Sequence, residues 1–92
     1  MTEQRFEWDD AKRQSALAKH GIDFLRAARV FRQPHRVLPA LDGPEERWMA
    51  IGQLDGVIIT VVFTRRGDAI RIITARRARR NERQDQRPLH DG

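Results

Sequence analysis

The chain has 92 residues, room for one domain around one hydrophobic core. Hydrophobic residues make up 39% and charged residues 34%, the composition of a globule with a heavily charged surface and not of a disordered chain. Cysteine is absent, no apolar run approaches the length of a membrane span, and the start "MTEQRFEWDD" is too polar for a signal peptide. These features argue against a disulfide-stapled secreted domain and against a membrane protein, and the expected location is the cytoplasm. Three scattered histidines, His20, His35 and His90, offer no zinc-site spacing, and no metal or other cofactor is expected.

The first helical pattern is "EWDDAKRQSALAKHGIDF". Asp9 and Asp10 stand where a helix N-terminus favours negative charge, and Asp9 is placed to cap. Lys19 and His20 stand at the end that favours cations, and Gly21 is placed to stop the helix in the left-handed conformation. Asp23 then caps a second short helix, whose Phe24, Ala27, Ala28 and Phe31 form an apolar stripe that ends before Pro34.

From residue 35 the apolar period shortens towards two. "HRVLPAL" reads as a first strand, with Pro39 marking an edge or an early end, and "DGPEE" as a turn. "RWMAIGQL" is a second strand, followed at once by the hairpin dipeptide Asp55-Gly56. "VIITVVFT" is apolar at nearly every position, so it is expected at the centre of the sheet with both faces covered. "RRGD" turns the chain into a fourth strand, "AIRIITAR", in which strict alternation sends Ile70, Ile72 and Thr74 to one face and Arg71, Ile73 and Ala75 to the other. Residues 79–87 are polar throughout, so a helix there has no apolar face to hold it, and residues 88–92 are expected to fray. The expectation is an α+β domain over residues 1–87: two N-terminal helices, a four-stranded antiparallel meander and a short basic C-terminal helix.

Charge is unevenly placed along this order. Residues 1–64 hold nine basic and nine acidic residues, while residues 65–92 hold nine arginines against Asp68, Glu82, Asp85 and Asp91, so the whole net charge of +5 lies in the last third. Sixteen of the eighteen basic residues are arginine, whose planar fork grips two phosphate oxygens and stacks on bases. Any one of these arginines has a plainer role in solubility. The run from Arg71 to Arg80 without an acid points to a phosphate-rich partner, with an acidic protein as a compatible second reading. Arg65 and Arg66 in the hairpin and Arg76 at the strand exit lie at opposite ends of a strand, roughly 25 Å apart at about 3.3 Å per residue. Arg76 and Arg77 leave on opposite faces, and loss of a surface arginine such as Arg76 is expected to cost on the order of half a kcal/mol in folding. Trp8 and Trp48 read as packing residues.

Three stretches, "FEWDDAKRQSALAKHGIDFLRAARVF", "ERWMAIGQLDGVIITVVFT" and "RIITARRARRNER", resemble the BrnT family, the toxin half of BrnT/BrnA toxin–antitoxin systems. The resemblance covers roughly residues 6–83. Its most specific parts are Trp8-Asp9 with Lys12, the Lys19-His20-Gly21 step, and the exit Arg71…Ala75-Arg76…Ala78…Glu82. It implies a RelE-like fold and a ribonuclease that halts translation. It also implies an antitoxin partner of the BrnA kind, with a ribbon-helix-helix domain through which the pair reaches operator DNA.

Cleaving RNA through its 2′-hydroxyl needs a base, stabilisation of charge at phosphorus and a proton for the leaving 5′-oxygen, but no metal. Guanidinium groups suit the second task and not the first, because they stay protonated. Arg65, Arg71 and Arg76 are the candidates to hold the scissile phosphate, and His20 is the candidate proton carrier, with Glu7 and Asp68 as other possible bases. Arg66, Arg77, Arg79, Arg80 and Lys19 are the candidates to bind flanking RNA. The chain has no tyrosine, so a tyrosine acid–base pair is excluded. An Arg-rich module that binds nucleic acid or a partner without catalysis is the rival reading, and a basic tail that only docks a partner is a third.

Overall fold

The computed structural model describes residues 4–40 and 46–84. A mixed five-stranded sheet of order β1-β5-β4-β3-β2 carries its helices mainly on one face. β1 is Arg5–Trp8, α1 Asp10–His20, α2 Phe24–Ala27, β2 His35–Ala40, β3 Arg47–Leu54, β4 Val57–Arg66, β5 Ala69–Arg77 and α3 Arg80–Gln84, with a 3-10 turn over Ala28–Arg32 after α2.

The meander from β2 to β5 is antiparallel as expected, and β4 is the middle strand of the five. The four-stranded expectation is corrected by β1, which pairs in parallel with β5, Phe6 opposite Ile70 and Trp8 opposite Ile72. "RFEW" alternates well enough for a strand, but its partner lies more than sixty residues away, and the helix cap beside it dominates the local pattern. The second helix is also corrected: it is α-helical for four residues and then tightens into the 3-10 turn.

The caps behave as local chemistry dictates. The Asp9 carboxylate accepts from the Ala11 and Lys12 N–H groups, Gly21 ends α1 at φ 72°, and Asp23 caps α2 through the Leu25 N–H. Asp55 and Gly56 both take positive φ, 52° and 83°, as a two-residue hairpin turn requires.

Phe24, Ala27 and Val30 from the helical side pack on Ile59, Val61 and Phe63 of β4 and on Ile70, Ile72 and Ala75 of β5. Trp8 meets Phe24 edge-on at 5.9 Å, and Trp48 packs against the same core. The alternation expected for β5 fails at one point. Val62 pairs with Thr74 and Phe63 with Ile72, so Ile73 is an extra residue in a β-bulge. The bulge turns Ala75 into the core and brings Arg71, Thr74 and Arg76 to the opposite, open face. Without it Arg71 and Arg76 would face opposite ways. Leu41 and most of the expected "DGPEE" turn, residues 85–87 of the basic segment and the expected frayed end at 88–92 lie outside the described residues.

Candidate nucleic-acid interface

On the open face, Arg71 donates to Glu7 Oε2 at 2.9 Å, and Arg66 lies 3.8 Å from the same oxygen. Glu7, a possible base by sequence, is here the acid that pairs with Arg71 of β5 and lies beside Arg66 of β4. Further along β5, Arg76 makes a two-pronged pair with Glu82, at 2.8 and 2.9 Å. Its side chain is only 15% exposed, and that of Glu82 only 7%. The Thr60 hydroxyl and the Arg79 N–H also donate to Glu82 Oε1, each at 2.8 Å. Arg76 is therefore not the surface residue expected. It is half of a buried ion pair that fastens α3 to the sheet. The guanidinium beside Glu82 and these added donors pull its carboxyl from the usual 4.5 down to about 2. The short polar helix has no apolar stripe, as expected, but it is anchored by one buried carboxylate. Beside this latch, Arg47, Arg76 and Arg79 line a cavity of about 410 Å³ with Met49, Val62 and Thr74.

Arg65 stands on the other face, its guanidinium carbon 5.9 Å from the Phe63 ring centre. With Arg32, His35, Phe6 and Phe31 it lines a second cavity, of about 420 Å³. His20 lies at the exposed C-terminus of α1 and shares a small pocket of about 100 Å³ with Arg77 and Arg26. The four residues expected to be catalytic are thus divided. Arg71 and Arg76 share the open face, Arg65 lies on the helix-covered face, and His20 is apart from all three. Arg77 leaves β5 on the side opposite Arg76, as alternation requires. Arg79 reaches the open-face cavity, while Arg80 and Lys19 are exposed on α3 and α1. Asp68 pairs with Arg5 at 3.3 Å in an exposed turn. Among the described residues no three of His, Cys, Asp and Glu come together as a metal site, and no helix is long and apolar enough to cross a membrane.

A family model described as the ribonuclease toxin BrnT of type II toxin–antitoxin systems matches residues 8–82. The chain belongs to the BrnT family. A solved structure, the crystal structure of the Brucella abortus ribonuclease toxin BrnT, is similar at 36% identity and TM-score 0.71, covering 85% of this chain and 100% of that one. A comparison with curated proteins finds no match. The BrnT match begins and ends on residues that close the fold: Trp8, which packs on Phe24, and Glu82, which pins α3.

Three residues of this BrnT chain have roles that the sequence left unassigned. Glu82 stood in the exit pattern of the resemblance and is the sole acid between residues 69 and 84, but neither signal gave it a partner. Thr60 had none, because a threonine in an apolar strand reads as a strand former. His35 was set aside as one of three scattered histidines. Only the 3-10 turn, which brings Phe31 under its ring at 5.4 Å, gives it a setting.

Proposed function

We propose that this chain is an endoribonuclease toxin that cleaves RNA without a metal ion and so stops translation in the cytoplasm. The observation that carries this reading is its 36% identity to a solved ribonuclease toxin over the whole of that chain. The arginines supply the substrate class. Arg71 and Arg66 on the open face, and Arg79 and Arg47 around its cavity, line one side of the sheet with guanidinium groups, suited to a phosphodiester backbone. Arg77, Arg80 and Lys19 extend the positive surface to flanking nucleotides. Guanidinium groups held by carboxylates keep their orientation and suit the backbone phosphates that flank the reacting one.

The reaction is attack of the 2′-hydroxyl on its own phosphodiester, leaving a 2′,3′-cyclic phosphate and a free 5′-hydroxyl. Purified protein incubated with RNA in excess EDTA tests it, with end-group analysis of the fragments. Cyclic phosphate ends are expected. Cleavage that disappears in chelator and returns with magnesium would count against the metal-free route.

The antitoxin fits the same surface. A BrnA-like protein with a ribbon-helix-helix domain would cover the basic end with acidic side chains, block RNA and carry the pair to operator DNA. A binding module without catalysis is favoured by one observation: Arg71 and Arg76 are already engaged by Glu7 and Glu82. The EDTA assay separates the two readings, since a module of that kind retains RNA and leaves it intact.

A further inference from the structure

The cavity on the helix-covered face combines three features that no single role in folding requires together. Its floor is aromatic. The Phe6 and Phe31 rings lie 5.5 Å apart, and Phe31 stands edge-on to Phe63 at 5.1 Å. Its rim carries two guanidinium groups, those of Arg32 and Arg65. Its wall carries His35, whose Nδ1 is 2.7 Å from the Gln33 carbonyl oxygen. A carbonyl oxygen only accepts, so Nδ1 carries the hydrogen, and in the neutral ring Nε2 keeps its lone pair. The ring is half-buried and braced edge-on against Phe31. Gly52 makes room for this wall. A Cβ there would come within 3.1 Å of both the His35 Cβ and the Val30 Cγ1, and within 3.3 Å of the Pro34 carbonyl oxygen. Gln33 in turn donates its side-chain amide to the Gln53 carbonyl, tying the segment before β2 to the end of β3.

We propose that this cavity seats one nucleotide of an RNA strand, and that His35 is the general base of the cleavage. The inference rests on the ribonuclease reading above and places its reacting centre. At about 420 Å³ the cavity has the volume of a small-ligand site. The base stacks on the half-buried rings of Phe6 and Phe31, as single-stranded RNA does on aromatic side chains. Arg65 and Arg32 take the phosphate oxygens. His35 Nε2 accepts the 2′-hydroxyl proton while the 2′-oxygen forms its bond to phosphorus. The bond from phosphorus to the 5′-oxygen breaks, and that oxygen takes a proton from water at the open mouth. The imidazolium then returns its proton to water, so the histidine is regenerated and the cyclic phosphate leaves. His35 does here what His20, apart from Arg65, Arg71 and Arg76, is not placed to do.

The test compares the wild-type chain with His35→Gln and Arg65→Ala in EDTA, measuring RNA cleavage and the affinity for a 2′-O-methyl RNA tetranucleotide that lacks the attacking hydroxyl. His35→Gln keeps the size of the side chain and removes its basic nitrogen. The expected result is a fall in cleavage of about a hundredfold or more, with tetranucleotide affinity changed by less than about threefold. Arg65→Ala, at the exposed end of β4, is expected to weaken the tetranucleotide by about tenfold. Wild-type cleavage with an equally fast His35→Gln overturns the proposal and leaves the ribonuclease reading standing. A wild type that cleaves no RNA sinks that reading and the role of His35 with it. Thermal melts of the same samples identify a misfolded His35→Gln. In that case unchanged tetranucleotide binding by Arg65→Ala still overturns the site.

Discussion

Glu82 gathers four hydrogen bonds on one buried carboxylate. Its carboxylate takes both prongs of Arg76, the Thr60 hydroxyl and the Arg79 N–H. Removing Arg76 leaves that carboxylate buried with two neutral donors. Arg76→Ala is therefore expected to cost about 3 kcal/mol of stability, far above the level of a surface arginine. Urea unfolding of Arg76→Ala, Glu82→Ala and the double variant checks the cause. The two single losses should exceed the double loss, when added, by at least about 1 kcal/mol. Additive losses would mean that the pair does not act as a unit. The same residue sets a pH limb. The folded pKa of Glu82, about 2, lies below its ordinary 4.5. Its contribution is thus complete above pH 4.5 and is lost as pH falls from there towards 2. The loss is on the order of 3 kcal/mol, since each pKa unit is worth about 1.4 kcal/mol. Melting curves between pH 6 and 2 are expected to show it, and Glu82→Gln is expected to flatten this limb.

At the scale of elements, α3 is the exception. Helix α1 has a capping aspartate, a terminal glycine and a side packed on β5. Helix α3 is five residues long, too short to persist in water alone, and it stays in place because Glu82 and the adjoining Ala78 are buried. Its Arg83 N–H donates to the Arg79 carbonyl at 2.9 Å. Hydrogen exchange on Glu82→Ala is expected to show the Arg83 amide unprotected while the amides of α1 keep most of their protection. Equal loss in both helices would show that α3 is part of the global unfolding unit and not a separately latched element. The bulge at Ile73 matters at this scale too. One extra residue decides that Arg71 and Arg76 share a face, and with them the run of positive charge on the open side of the sheet.

Across the whole molecule, the charge is arranged for encounter. All of the net +5 comes from residues 65–92, and β4, β5 and α3 spread the described part of it over the sheet and one end of the domain. An acidic antitoxin that approaches this side should associate quickly at low salt and much more slowly at high salt. Stopped-flow association at two ionic strengths, with and without a non-cleavable RNA, is expected to show salt-sensitive rates and competition. The competing arrangement uses the helical side, where Leu17 and Leu25 are exposed. A salt-insensitive association that still admits RNA would favour that side.

What the sequence determined by itself is what neighbours in the chain decide together. The caps at Asp9 and Asp23, the stop at Gly21, the hairpin at Asp55-Gly56, the antiparallel meander and the central place of β4 all rest on local chemistry or on an apolar run that only a sheet interior accepts. The BrnT pattern was legible on the same terms. What only the tertiary structure decided depends on pairs far apart in the chain. β1 finds its partner across more than sixty residues, so its four residues look like the approach to a helix until β5 presents a free edge. The bulge arises from matching β5 to β4, and no period within β5 announces it. Arg76 reads as a surface charge because the carboxylate that buries it, and the threonine beneath that carboxylate, are contributed by α3 and β4. His35 acquires a setting because a 3-10 turn lays Phe31 beneath it and Gly52 leaves it room. The physical reason is the same in each case. Side-chain chemistry is written in the chain, but burial, hydrogen-bond partner and facing group are properties of the packed sheet.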